Sequence, residues 1–385
     1  MIAIIDDSRL VGRMILGLTT TVLCVLVFSS GLGQASAAER IIDDYDATLT
    51  SSHKNLWLVK TGRTQSGDLA TRMFTFTGRG WKVFPSSFEN RVRGRFSLVG
   101  RQTGRQTNPC VGYLAPGDVS VIKCFRGGKW RQIRIGPGLQ QLELSELQAR
   151  GQKLVALFTD VEGKRSKAQL AVAGKNQFVR WGRPITVPGP SALFGLGSKT
   201  RSAPRSVVDV GIQTVRGKRW VASMAGGNWA RSRPLPSRIP GPQPSGPVRT
   251  HNALYMPVSE ALFPGEYQPW QFSVFKLRNG NWRQITGHVL NQTAFSAQGS
   301  LFAVGENVWA AWDEMNGLDS PPRMRTQLFV ARMTGGNMKV TKVWQGRRKA
   351  QGVQGVVGFR GKVAVLYMRQ APNSTNTHAA VRFLP

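Results

Sequence analysis

An all-β chain closed as a ring of small repeated sheets is the fold this sequence predicts, on three observations. Short turns followed by an aromatic or large apolar residue and a strand pattern recur about every fifty residues. Between these turns lie apolar runs of strand length, and only Leu142 to Ala149 suggests a short helical turn. Gly and Trp are abundant, 43 and 11 in 385 residues, and both gather at the recurring turns. Four short antiparallel strands per unit, repeated around an axis, describe a single β-propeller.

The N-terminal segment stands outside this repeat. Arg9 and Arg13 precede the apolar stretch Met14 to Phe28, and a small-residue site follows at Ala35, Ser36 and Ala37. That order marks residues 1–37 as a secretory signal peptide and 38–385 as the mature propeller domain. The apolar stretch falls short of the roughly 20 residues that cross a bilayer, so no stable membrane span is expected after cleavage. A secreted or periplasmic location follows.

The repeat is clearest at Trp81, Trp130, Phe178, Trp229, Trp282 and Met338, spaced 49, 48, 51, 53 and 56 residues apart. In the sixth copy the strands read Gly299 to Val304, Val308 to Trp312, Gln327 to Arg332 and Lys339 to Trp344. After it come Val356 to Arg360, Lys362 to Met368 and His378 to Leu384, three strands without a fourth. The N-terminal strand, Arg40 to Asp43, is expected to supply the fourth, which gives seven blades; a six-bladed ring with a terminal extension is the alternative. Residues 231–250 are Pro-rich and stiff, but Trp229 and Trp282 keep the repeat phase across them. They therefore read as a loop between blades rather than a linker between domains.

Two cysteines remain in the mature chain. Cys110 and Cys124 flank a hairpin pattern that turns at Pro116, Gly117 and Asp118, which sets them opposite each other on paired strands. In an oxidising compartment they are expected to form a disulfide that staples the hairpin.

The chain carries 52 Lys and Arg against 20 Asp and Glu, a net charge of +32. The leader holds two Arg and two Asp, so 50 minus 18 leaves the mature domain still at +32. Such a surface attracts polyanions. The densest basic run is Arg91, Arg93 and Arg95, with Arg101 and Arg105 beyond it, the candidate anion-binding residues.

In a propeller, the loops joining second to third strands crown one face and vary in length, and this is the expected binding face. Here they fall near 61–71, 116–118, 160–167, 214–218, 259–268, 313–325 and 370–377. Nine of the 18 mature acidic residues lie in them, which suggests a less basic mouth able to hold a cation such as calcium or to supply paired carboxylates. Ligand-binding candidates are Asp68, Asp160, Glu266, Asp313, Glu314 and Asp319, with Tyr267 and Trp270 as a sugar-stacking platform. Asp313 and Glu314 are adjacent and would point to opposite faces of a continuing strand. The four His show no metal-ligand spacing and the disulfide occupies both Cys, so no metal site and no cofactor are expected. No nucleotide-binding or nucleophile-elbow motif occurs.

The segment Gly305 to Glu314, GENVWAAWDE, followed by Leu328 to Arg332, LFVAR, resembles the sialidase-like propellers, whose strands of this form precede an Asp-box. The nearest counterpart of that box, Ser223 to Trp229, has Ala225 where the Asp belongs and is one residue short. The resemblance implies a propeller and, in active members, an Arg triad with a Tyr and Glu pair; no triad stands out among the many Arg, the five Tyr include no recognisable pair, and no catalytic residue is carried over. Two functions are expected. The first is an exported binding or scaffold protein that recognises a glycan, an anionic cell-surface polymer or a protein through its loop face, as a monomer and without preference for nucleic acid. The alternative is a sialidase-like glycoside hydrolase, which would need three Arg and two or more carboxylates around one sugar position.

Overall fold

The computed structural model describes residues 2–4, 41–52, 54–85, 93–103, 106–150, 152–161, 165–214, 216–235, 246–261, 270–285, 294–295, 299–316, 325–334, 337–346, 350–370 and 376–385. They form seven antiparallel sheets in chain order, the blades of a propeller. Blade 1 runs Ile41–Ser51, Leu56–Thr64, Leu69–Phe76 and Trp81–Val83, and blade 2 runs Arg93–Thr103, Gln106–Ala115, Val119–Arg126 and Lys129–Gln132. Blade 3 is Glu143–Arg150, Lys153–Asp160, Arg165–Ala173 and Gln177–Arg180; blade 4 is Leu193–Leu196, Val208–Gln213, Arg219–Ala225 and Asn228–Arg231. Blade 5 is Val248–Arg249, Leu254–Ala261, Trp270–Arg278 and Asn281–Gln284; blade 6 is Gly299–Val304, Asn307–Asn316, Arg325–Thr334 and Asn337–Gly346. Blade 7 is Ala350–Phe359, Lys362–Gln370 and Thr377–Leu384, with Ile2–Ile4 paired along its outer edge. At six of the seven seams the first strand of one blade touches the first strand of the next, which puts them around the axis.

Closure is visible in the core. Seven clusters of buried apolar side chains occur, and each joins two adjacent blades. Seven seams for seven blades leave no open side. All six repeat markers fall on fourth strands, as their spacing predicts. Three of them also hold blades together: the indole Nε1 of Trp130 donates to Pro85 O at 2.7 Å, that of Trp229 to Arg183 O at 2.7 Å, and that of Trp282 to Arg233 O at 2.8 Å. Each acceptor lies just beyond the fourth strand of the preceding blade, so an aromatic at this position both packs and clamps.

Cys110 and Cys124 pair across the second and third strands of blade 2 and are disulfide-bonded, with Cα atoms 4.0 Å apart. The turn they flank carries Gly117 at φ 79° and Asp118 at φ 59°, the left-handed conformation that Gly and Asp tolerate best. The hairpin expectation holds in register and in turn.

Two expectations are corrected. Leu142 to Ala149 is not a helical turn: Glu143–Arg150 is the first strand of blade 3, with a bulge between Leu144 and Glu146. The extra residue shifts the alternation, so Leu144 and Leu147 both reach the core at a spacing of three. Nor do Arg40 to Asp43 form the outer strand of blade 7. Ile41–Ser51 is the first strand of blade 1, and the blade 7 edge pairs with Ile2–Ile4 instead. Asp43 and Asp44 still tie the two ends of the ring, but by side chains: Asp43 Oδ1 accepts the Thr377 N–H and Asp44 Oδ2 the Ala379 N–H, each at 2.7 Å. Bulges between Ile41 and Asp43 and between Asp44 and Asp46 break the ladder where these carboxylates turn toward blade 7.

Candidate functional site

In all seven blades the loops expected to form the binding face do join second to third strands, and the topology brings them to one end of the ring. What lies beneath them is a belt of buried polar side chains. Lys60, Gln213, Ser259, Asp313 and Glu314 sit toward the ends of second strands; Ser120, Ser166, Arg219, Ser273, Thr326 and Thr377 sit at or near the starts of third strands. The third-strand positions are 46, 53, 54, 53 and 51 residues apart, a second repeat hidden inside the first.

Its role is to receive the next blade. Ser120 Oγ accepts the Leu144 N–H at 2.9 Å and donates to Leu142 O at 3.2 Å. Ser166 Oγ accepts the Ala192 N–H at 3.0 Å and donates to Gly189 O at 2.9 Å. In both cases a hydroxyl satisfies backbone groups of the chain entering the following blade, which would otherwise be buried unpaired. In blade 4 a fully buried guanidinium replaces the hydroxyl: Arg219 Nε donates to Gln213 Oε1 at 2.7 Å and Nη2 to Ser259 O of blade 5 at 3.1 Å. At the ring closure the direction reverses, with Thr377 donating its N–H to Asp43. Asp44, 0% exposed, also pairs with the buried ammonium of Lys60 at 3.0 Å. Sequence reasoning missed this belt because Ser and Thr beside loops look like loop residues; the signal available was their recurrence about every fifty residues.

The candidate ligand-binding residues that are described are distributed over this face. Asp313 and Glu314 are both buried on the second strand of blade 6, which continues through them, and they do diverge. Glu314 Oε1 accepts from the Trp312 indole at 3.0 Å, on the side where Trp312 packs against Phe272 of blade 5. Asp313 lies on the side of blade 7, beside Gly352. The two carboxylates thus serve different seams. Asp160 pairs across strands with Lys167 at 3.9 Å, both partly exposed, and Asp68 Oδ2 accepts from Ser66 Oγ at 3.1 Å. Trp270 opens the third strand of blade 5, paired with Ala261. Glu266, Tyr267 and Asp319 lie outside the described residues.

Of the candidate anion-binding residues, Arg93 and Arg95 lie on the first strand of blade 2, where Arg93 pairs with Leu114. Arg101 is on the same strand but at the end away from the loops. Its Nε donates to Gln152 O of blade 3 at 2.8 Å, and burial, followed by the charge of Arg126, pulls its pKa down. Arg91 and Arg105 lie outside the described residues.

The sheets and seams define a seven-bladed β-propeller, and comparison with solved structures agrees on the architecture. The β-propeller domain of the Trilobed protease from Pyrococcus furiosus is 8% identical, with 86% of this chain and 90% of that chain covered at a TM-score of 0.50. A fucose-specific lectin from Aleuria aurantia is 11% identical over 78% of this chain and 96% of its own at a TM-score of 0.48, and a Synechocystis apocarotenoid oxygenase is 9% identical over 91% and 94% at 0.47. No family model matches the chain, and no curated protein matches its sequence. At 8% identity the likeness to the protease propeller domain supports the propeller fold and nothing finer.

Proposed function

We propose that the chain is an exported propeller that binds a polyanionic glycan or cell-surface polymer by electrostatic attraction. The observation that carries this reading is the sign of the exposed surface. Among the described residues, 27 Lys and Arg are exposed against four carboxylates, Asp68, Asp118, Glu143 and Glu306. Among the residues whose burial is described, exposed or not, Lys and Arg number 38 against 12 Asp and Glu, so folding makes the surface more one-sided than the composition. The cause is that the scarce acids turn inward: Asp44, Asp209, Asp313 and Glu314 are buried, and Asp43 and Glu146 accept backbone N–H groups of neighbouring blades. Cations left without acidic neighbours raise the local concentration of any polyanion.

Chromatography on immobilised dextran sulfate and on neutral dextran tests this. Retention on the sulfated matrix is expected at about 50 mM NaCl and should be lost by roughly 1 M, where charges are screened beyond about 3 Å. Equal retention on neutral dextran, or retention indifferent to salt, overturns the proposal.

A further inference from the structure

At the end of the ring opposite the loops, the connection between the first and second strands of blade 4 departs from the plan of the other six blades. The connection in blade 4 runs from 197 to 207, where those of the other blades span two to four residues. It crosses blade 5: Ser198–Lys199 pairs in parallel with Val248–Arg249, the Thr200 N–H donates to Arg249 O at 2.9 Å, and the Arg201 N–H donates to Gly305 O of blade 6 at 2.8 Å. The crossing gathers Lys199 with Arg150, the last residue of the first strand of blade 3, and Arg249, from the first strand of blade 5, around Asp209 of blade 4.

The charges do not balance. Asp209 is saturated: Arg249 Nε donates to Oδ2 at 2.6 Å, Arg249 Nη2 to Oδ1 at 2.5 Å, and Ser223 Oγ to Oδ1 at 2.6 Å. Arg150 finds only neutral acceptors, Nη1 donating to Val207 O at 2.5 Å and Nη2 to Gln148 Oε1 at 3.4 Å and Gly197 O at 3.5 Å. Its Nε is buried and has no hydrogen-bond partner among the described residues. The Lys199 ammonium likewise rests on carbonyls alone, Pro204 O at 3.0 Å and Arg205 O at 2.9 Å. Three cations, Arg150, Lys199 and Arg249, less one carboxylate leave a surplus of two positive charges in a partly buried junction; at the exposed rim Arg205 adds a charge and Glu306, which accepts the Ser202 N–H at 3.1 Å, offsets it. Like charges held together out of water are unfavourable until a counter-ion joins them. Burial, opposed by Asp209 and aided by Arg249, pulls Arg150 down to about 10. Burial, then Arg150, pulls Lys199 down to about 8, with Arg205 and Arg249 adding and Asp209 opposing.

We propose that this junction binds a tetrahedral oxyanion, a sulfate or phosphate group, held by Arg150, Lys199 and Arg249. A dianion cancels the surplus of two, offers an acceptor to Arg150 Nε, and suits the charge-assisted hydrogen bonds that guanidinium and ammonium groups donate. The site is separate from the loop face and does not depend on polymer binding there.

The test uses sulfate, which stays a dianion across the pH range, on the full chain. At pH 7, 10 mM sodium sulfate is expected to raise the melting temperature by about 2 °C or more over sodium chloride of equal ionic strength. The gain should shrink as pH rises through about 8, because Lys199 loses its proton there while Arg150, pulled down only to about 10, keeps its own. By isothermal titration, Lys199→Gln should weaken sulfate about tenfold, the loss of one charge-assisted contact; Arg150→Gln should do the same. Titration with dextran sulfate separates the two sources of the group. If the group is presented on a polymer, Lys199→Gln weakens both ligands; if the ion binds free, it weakens sulfate alone; either result upholds the site. Equal melting temperatures in sulfate and chloride, or unchanged sulfate affinity in Lys199→Gln, overturn it.

Discussion

Replacing Asp44 with Ala should open the ring at its covalent gap. The carboxylate is fully buried, accepts the Ala379 N–H of blade 7 at 2.7 Å and faces Lys60 Nζ at 3.0 Å, itself buried in blade 1. Truncation leaves an ammonium whose nearest compensation is the Phe74 ring, with a centroid 5.8 Å away, and it strands a backbone donor at the edge of blade 7. Breaking a buried ion pair from one side costs about 3–5 kcal/mol. Unfolding entropy of about 2.1 cal/mol/K per residue over roughly 340 residues is about 0.7 kcal/mol/K, so a loss of about 4 kcal/mol should lower the melting temperature by about 6 °C. Differential scanning calorimetry would measure this in Asp44→Ala, in Lys60→Met and in the double variant. The double variant should recover about half the loss, since the stranded charge is gone and only the N–H remains unpaired. A fall of less than about 2 °C in Asp44→Ala, or a double variant as unstable as the two single losses added together, would refute the idea that this pair closes the ring.

Two further outcomes follow from the same architecture. Replacing both Cys110 and Cys124 with Ser should cost about 3 kcal/mol, the chain-entropy value for a loop of this length, lowering the melting temperature by about 4 °C; a change under about 1 °C would show that the bridge adds nothing to blade 2. A chain beginning at Ala38, as signal cleavage would leave it, loses the Ile2–Ile4 ladder but keeps Asp43, Asp44 and the blade 1 to blade 7 core. It should therefore melt cooperatively within about 3 °C of the full chain in the same calorimeter, and a broad or strongly shifted transition would mean that the three-residue ladder does the closing.

The sequence yielded the ring because the ring is built from local signals. A hairpin turn, a strand and a marker on the fourth strand all lie within one period, so Trp130, Trp229 and Trp282 could be aligned without knowing what their indoles touch. The cross-strand cysteines were legible for the same reason, their pairing being fixed by a turn a few residues away. What escaped is whatever depends on residues far apart in the chain. A bulge hid the first strand of blade 3, because two core leucines separated by three residues imitate a helix. The hydroxyl belt escaped because the meaning of Ser120 or Ser166 lies in an N–H more than 20 residues later. The junction proposed to bind an oxyanion draws on blades 3, 4 and 5, and no spacing announces that Arg150, Lys199 and Arg249 gather around Asp209.

The closing seam shows why such a plan cannot be perfectly periodic. In the seams to blades 2, 4 and 5 a marker indole donates to the carbonyl of the chain leaving the previous outer strand, a contact that requires the chain to continue from one blade into the next. Between blades 7 and 1 the chain does not continue, since blade 1 comes first and blade 7 last in chain order. Trp81 bears the same marker there, yet its Nε1 is buried without a hydrogen-bond partner among the described residues. Apolar contact takes over: Phe76 lies 5.3 Å from the Trp81 ring, 6.0 Å from Phe359 and 5.3 Å from Phe383, so aromatics of blades 1 and 7 interlock across the gap. Aromatic packing and the paired carboxylates of Asp43 and Asp44 thus replace, at the one seam the backbone cannot bridge, the clamp that chain continuity permits at the seams to blades 2, 4 and 5.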